Sequence, residues 1–298
     1  MSPFTSAYAY AILARVCREV GQSAEGAGLL RLGENAIFRL GGRSSAVVAR
    51  VGRDPSRLPV AQRELCLSRW LTGIGHPRVV RVVEEIPDQP RLVDGHPVTF
   101  WRYVPPEPDL PGVVDLALIL KDLHAHRSSP CPLPRFDPLA AVRVRLGRGV
   151  GLTGADREFL QSRCQSLDAV LPSLEFVLPD GPIHGDAHTG NLLGGAGAAV
   201  LGDFEVASFG PREWDLVPVA VGRARLGITP LQWRAFVAAY GFDVCAWPGF
   251  SVLREVRELG MTTWLAQNVD ESAAIAREVA LRLRCLRNGD HDREWTPF

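Results

Sequence analysis

Apolar positions recur at helical spacing near the start of the chain. Ile12, Val16 and Val20 share one side of a segment at about 7–20 and predict a short amphipathic helix. Three short apolar runs follow, Leu29–Leu32, Ala36–Leu40 and Ala46–Val51. They are broken by Gly33-Glu34-Asn35 and by Gly41-Gly42-Arg43-Ser44, residues suited to tight turns, and predict successive strands. Asp54-Pro55 offers a helix start, and a helix is expected from about Leu58 to Leu71. Two more strands are expected at Val79–Ile86 and Val98–Val104, with Asp94-Gly95 as a turn between them. Pro105 to Pro111 holds four prolines, which remove backbone donors and end both helix and sheet. Beyond it the periodicity is helical at about 113–127, 138–147 and 154–171, and again at 212–226, 230–240, 250–268 and 272–287. A strand-and-loop stretch at 179–210 interrupts it.

A strand-rich first third and a mainly helical remainder imply an α+β fold of two lobes. The expected division is 1–104, a linker at 105–111, and 112–298, with a nucleotide held in the cleft between the lobes. A chain of 298 residues, 46% hydrophobic, is long enough for two cores. Its formal net charge of zero gives no sign of general nucleic-acid or membrane-surface binding. No apolar run approaches membrane length and no signal peptide is evident, so the expectation is a cytoplasmic protein, monomeric or homodimeric. The six cysteines are scattered without a Cys-x-x-Cys pair; a zinc site is not expected, and reduced thiols are the simpler reading. Lys121 is the only lysine; the remaining cationic side chains are arginines.

The chemistry concentrates in Ile183-His184-Gly185-Asp186-Ala187-His188-Thr189-Gly190-Asn191, followed by Val200-Leu201-Gly202-Asp203-Phe204-Glu205. Asp186 can orient a hydroxyl or take its proton. Asn191 and Asp203 supply hard oxygen donors suited to magnesium bridged to nucleotide phosphates. His184 reads as a scaffold residue and His188 as one facing solvent or substrate. One base and two metal ligands in this order form the set that phosphoryl transfer requires.

These motifs resemble the aminoglycoside phosphotransferase and choline kinase-like family. His184 to Asn191 is similar to its catalytic loop and Asp203-Phe204-Glu205 to its metal-binding segment. Gly210-Pro211-Arg212-Glu213-Trp214-Asp215-Leu216 is similar to the segment after it, in which the resemblance makes Asp215 a structural brace. The resemblance implies a protein kinase-like fold with a small N-terminal antiparallel-sheet lobe and a larger helical C-terminal lobe. It also implies Mg2+, ATP or GTP as phosphate donor, and a small hydroxylated acceptor. The His-Arg-Asp, Asp-Phe-Gly and Ala-Pro-Glu signatures of protein kinases are absent.

In kinase-like folds a strand lysine pairs with a helix glutamate. Lys121 lies far from the third strand; Arg50 stands at the matching place, with Glu64 as its natural partner. An arginine can bridge carboxylate and phosphate oxygens through its planar fork. Gly33 and Asn35 lie in a turn that suits either an ordinary hairpin or a cover over phosphates. Trp101 and Tyr103 stand where the resemblance places the hinge beside a purine. On the acceptor side, the aromatics Trp214, Trp233, Tyr240, Trp247 and Trp264 suit helix cores as well as stacking, and the acids Glu255, Glu258, Asp270 and Glu271 are interleaved with arginines. The arginines suit solvated helix pairs and fit a neutral or partly anionic antibiotic at least as well as a polycationic aminoglycoside. A kinase of choline, a sugar or an amino-acid hydroxyl is the alternative, and a degenerate kinase-like binding module the third reading.

Overall fold

The computed structural model describes residues 4–41, 46–76, 78–149 and 151–298. Among these, helix α1 (Ser6–Glu19) starts where the Thr5 hydroxyl accepts the Tyr8 amide, satisfying one of the donors a helix start leaves open. Its Ile12, Leu13, Val16 and Cys17 are buried in one core with Phe38, Val51, Val98 and Phe100 of the sheet. Each such large side chain contributes about 1.5–3 kcal/mol on burial. Strands β1 (Gly28–Leu32), β2 (Asn35–Arg39) and β3 (Val47–Gly52) form where the apolar runs predicted them. With β4 (Arg91–Val93) and β5 (His96–Arg102) they make an antiparallel sheet in the order β1-β2-β3-β5-β4. The break at Gly42-Arg43-Ser44 lies outside the described residues.

Helix α2 (Leu58–Gly73) follows β3 as predicted. The strand expected at Val79–Ile86 does not form; only isolated bridges at Val79 and Val82 remain. The reason is Gln89, whose side-chain amide donates to the Val83 and Ile86 carbonyls and accepts the Phe100 amide. It takes the backbone partners that a continuous strand would need. The Asp94-Gly95 turn instead joins β4 to β5.

The helices of the remainder are α3 (Val113–His124), α4 (Ala140–Arg148), α5 (Gly154–Val170), α6 (Glu213–Arg225), α7 (Pro230–Tyr240), α8 (Phe250–Ala266) and α9 (Ala273–Asn288). Two short antiparallel ribbons interrupt them: β6 (Gly181–Ile183) with β9 (Ser208–Gly210), and β7 (Leu192–Leu193) with β8 (Val200–Leu201). The chain forms two compact units. The first comprises Met1–Asp115, Ser128–Leu133 and Thr189–Ala207; the second comprises Leu116–Arg127, Pro134–His188 and Ser208–Phe298. No helix among the described residues is long and apolar enough to cross a membrane.

Cys66 and Cys131, with Cα atoms 5.7 Å apart, form a disulfide, so the reading of six reduced thiols is corrected at this pair. Sixty-five residues separate them, too far for any local spacing rule to have paired them. The bond ties the 128–133 segment to α2 within the first unit. Closing a loop of that size removes chain entropy from the unfolded state worth about 4 kcal/mol. Reduction is expected to lower the denaturant midpoint by a corresponding amount, read by urea titration with and without reductant. Cys17, Cys164, Cys245 and Cys285 carry free thiols.

Candidate active site

In the first unit, β3 sets Arg50 between Ile37 of β2 and Thr99 of β5. Its guanidinium donates to Glu64 Oε1 of α2 at 2.8 Å and to Glu205 Oε1 at 2.5 Å. The second acid was visible in sequence only as the end of a motif. It proves to be a hub: Asn35 Nδ2 donates to Glu205 Oε1 at 2.6 Å, Arg57 Nη2 lies 2.5 Å from Oε2, and Arg63 donates to its backbone carbonyl. No spacing along the chain could reveal it, because its partners lie about 150 residues upstream.

Burial works against the charge on Arg50, but Glu64, Glu205 and Asp203 outweigh it and raise its pKa. Burial lifts Glu64 above the ordinary carboxylate range despite Arg50. Burial acts the same way on Glu205, yet Arg50, Arg57 and Asn35 hold it below that range. Glu205→Ala therefore leaves buried guanidinium groups short of anions and is expected to cost about 3 kcal/mol, measured by denaturant unfolding.

The β7–β8 ribbon pairs Leu192 with Leu201, and the Gly202 amide donates to the Asn191 carbonyl at 3.0 Å. This sets the backbone of Asn191 opposite the residue before Asp203. Asp203 has a φ of 62°, left-handed backbone that non-glycine residues rarely adopt and that marks a position over-determined by its surroundings. Among the described residues no group of three His, Cys, Asp or Glu side chains could hold a metal ion. Two neutral-to-anionic oxygen donors, Asn191 and Asp203, instead fit a hard cation that takes its other ligands from phosphate and water.

Gly33 lies in the β1–β2 turn, where its carbonyl accepts from Arg53 Nε and its amide donates to the Asn35 carbonyl. Asn35 is bound to Glu205, as described. Trp101 is buried beside Leu65 and Val82, its indole N–H donating to Thr99, while Tyr103 lies under the Arg39 guanidinium at 4.4 Å.

In the second unit, the β6–β9 ribbon delivers the loop that carries Asp186. Gly185 has a φ of 87°, where a side chain would be strained. Asp215, in the first turn of α6, accepts the His184 amide at 2.6 Å and the Gly185 amide at 2.7 Å, one with each oxygen. Its Oδ2 also lies 3.0 Å from His124 Nε2, and His124 Nδ1 lies 2.8 Å from the Tyr240 hydroxyl. Trp214 donates its indole N–H to the Gly185 carbonyl. The loop is thus clamped from α6 by a carboxylate and an indole. His184 is fully buried and its Nδ1 accepts the Asp186 amide, which is a scaffold role.

Asp186 Oδ1 lies 2.6 Å from Arg257 Nη1 of α8, and Oδ2 lies 3.6 Å from His188 Nε2. Burial alone would raise the Asp186 pKa, but Arg257 and His188 overcome it and hold the carboxyl far below its ordinary value. His188 thus adjoins the carboxylate rather than only solvent. Arg254 of α8 and Arg282 of α9 depart from the expected solvated pairs, whereas Arg287 keeps an exposed one with Asp156. Glu258 is buried and takes both Arg225 and Arg254; Arg282 pairs with Glu278 in a buried i,i+4 bond. Trp214, Trp233, Tyr240 and Trp247 are buried, and Trp264 is exposed.

A small antiparallel-sheet part and a helical part, with an anchored carboxylate on a clamped loop, define a protein kinase-like phosphotransferase fold. Residues 30–259 match the model of the phosphotransferase enzyme family, and the chain belongs to that family of small-molecule kinases. The fold is similar to that of an amicoumacin kinase in complex with AMP-PNP and Ca2+ (TM-score 0.74, 15% identity, 99% of this chain and 98% of the other). It is similar to a microcompartment-associated aminopropanol kinase (0.73, 19%, 94% and 98%) and to the choline kinase LicA from Streptococcus pneumoniae (0.64, 15%, 93% and 98%). No curated protein matches it in sequence.

Proposed function

We propose that this chain is a magnesium-dependent kinase that moves the γ-phosphate of ATP or GTP to a hydroxyl of a small molecule, with an antibiotic as the leading acceptor class. The observation that carries this reading is the ionised Asp186 carboxylate on a loop whose backbone amides are clamped by Asp215. Such a carboxylate accepts a hydrogen bond from the acceptor hydroxyl and aims its oxygen at the γ-phosphorus. As the new oxygen–phosphorus bond forms, the bond to the β–γ bridging oxygen breaks and the nucleoside diphosphate leaves. The hydroxyl proton, made acidic by that bond, passes to Asp186 and then to water. Asn191 and Asp203 would hold Mg2+, whose chemistry when bound is to neutralise charge on the β- and γ-phosphate oxygens. Arg50, kept charged and fixed by Glu64 and Glu205, would steady the donor phosphates. Gly33, Asn35, Trp101 and Tyr103 complete the proposed nucleotide site. The protein would act in the cytoplasm as a monomer or homodimer. A kinase of choline, a sugar or an amino-acid hydroxyl uses the same residues.

The non-catalytic reading has one observation in its favour: Arg50 is already engaged by two carboxylates. A thermal-shift titration separates the two. Nucleotide with Mg2+ at a hundredfold excess over its dissociation constant is expected to raise the melting temperature by about 4 °C. Asp203→Ala should abolish that shift together with metal-dependent nucleotide turnover. A shift that persists without metal, with no transfer to any acceptor, would leave only a binding module.

A further inference from the structure

The partner of Asp186 on α8 was not visible in sequence, and it narrows the acceptor. Arg257 Nη1 lies 2.6 Å from the carboxylate, and the Arg257 Nε is buried with no hydrogen-bond partner among the described residues. The guanidinium therefore carries a buried donor left without an acceptor, next to the carboxylate proposed to receive the hydroxyl. Both groups remain reachable: the Arg257 side chain is 20% exposed and that of Asp186 is 38% exposed.

The acids of α8 are already engaged by arginines: Glu255 is paired with Arg163, and Glu258 with Arg225 and Arg254. A cationic acceptor brought to Asp186 would meet the positive Arg257 at 2.6 Å from the same carboxylate. An anionic one meets a planar fork suited to two oxygens. Along the helix, Arg257, Met261 and Trp264 follow one another at i, i+4 and i+7 and so share a face. Met261 is partly exposed and Trp264 exposed, and a methyl group placed on Gly260 would meet open space. This face supplies a charged end at Arg257 and an apolar shelf about one to two helical turns further along.

We propose that the acceptor is a hydroxylated molecule carrying an anionic group, a carboxylate or a phosphate monoester, which Arg257 takes up as the acceptor hydroxyl replaces it on Asp186. The proposal rests on the phosphotransferase reading above and names the substrate class of that site. In the resting protein, Arg257 holds Asp186 ionised and in place. In the complex it exchanges one anion for another, so the guanidinium stays paired while Asp186 turns to the neutral hydroxyl, and its charge opposes molecules that bring a positive group.

The test offers the full chain, with ATP and Mg2+, three panels of alcohols: hydroxy acids and sugar phosphates; neutral sugars and nucleosides; aminoglycosides and amino alcohols. Phosphate transfer is expected in the first panel, and its two members distinguish carboxylate from phosphate. For the best anionic acceptor, Arg257→Met should raise KM by about 10- to 100-fold, with Arg257→Lys in between. The carboxamide or methyl ester of a carboxylate acceptor, or the dimethyl ester of a phosphate one, should show that loss in the wild-type protein and little further loss in Arg257→Met. The ester comparison requires no variant, so it holds even if Arg257→Met fails to fold. Preferential transfer to a neutral or cationic acceptor, with KM unmoved in Arg257→Met, would overturn the anionic class while leaving the kinase reading intact. No transfer and no nucleotide hydrolysis with any panel would overturn both.

Discussion

Replacing Asp186 by alanine is expected to lower turnover by about 10²–10⁴ while the protein stays folded, since that is the usual range for a positioned general base. The measurement is steady-state transfer to the best acceptor beside a thermal melt. Wild-type activity in the variant would remove Asp186 from the mechanism. The same residue sets a pH signature. Its carboxyl is held far below the ordinary value by Arg257 and His188, against the effect of burial. A depressed carboxylate contributes stability that is present above its unfolded pKa and is lost only as pH falls through the folded one. Hence no acid limb from Asp186 should appear in kcat/KM, which reports the free protein, across the ordinary working range. In Arg257→Met such a limb should move upward toward it, because the largest opposing charge is gone.

Asp215→Ala is expected to be the most damaging change to the loop itself. It removes the acceptors of two amides, that of buried His184 and that of partly buried Gly185, and the partner of buried His124. The buried His184 donor left unsatisfied costs about 1–3 kcal/mol, and the partly buried Gly185 amide adds to it. Urea unfolding reads the stability. Turnover should fall with it, because the clamped amides flank the segment that aims Asp186. Asp215→Asn keeps one acceptor oxygen and should retain part of both. If Asp215→Ala unfolds at the wild-type midpoint, the clamp carries no stability.

Much of this architecture is written locally. The helix starting after Asp54-Pro55, the breaks at Gly33-Glu34-Asn35 and the seven later helices follow from periodicity and from turn and cap residues, all of which act within a few positions. Arg50 and Glu64 are legible as a pair because strand and helix are consecutive, and the ion pair between them is formed. Glu205 was not legible. Nothing in Phe204-Glu205 distinguishes an acid that gathers Asn35, Arg50 and Arg57 from one that faces water; only the fold brings them together. Arg257 was masked for a related reason. On a helix rich in both charges, i,i+4 spacing predicts Arg254–Glu258, which forms, but spacing along one helix is silent about a loop some seventy residues earlier. The expected strand at Val79–Ile86 failed because its apolar content was read without Gln89, whose side chain competes for the same backbone groups. For Glu205 and Arg257 the hidden information is a long-range partner; for Val79–Ile86 it is a side chain three to six residues on.

The buried arginines of the second unit have a consequence for how the protein is made. Arg225 donates to the Asp290 and Arg293 carbonyls, and Arg282 to that of Thr296. Both guanidiniums lie against the Trp295 ring, at 4.4 and 4.9 Å. Two charges inside the helical layer are therefore satisfied by a segment synthesised after every helix that surrounds them. A nascent chain that has released α6 to α9 from the ribosome still lacks these acceptors. The helical layer is expected to stay incompletely packed, and open to chaperones and proteases, until residues 290–296 emerge and close it.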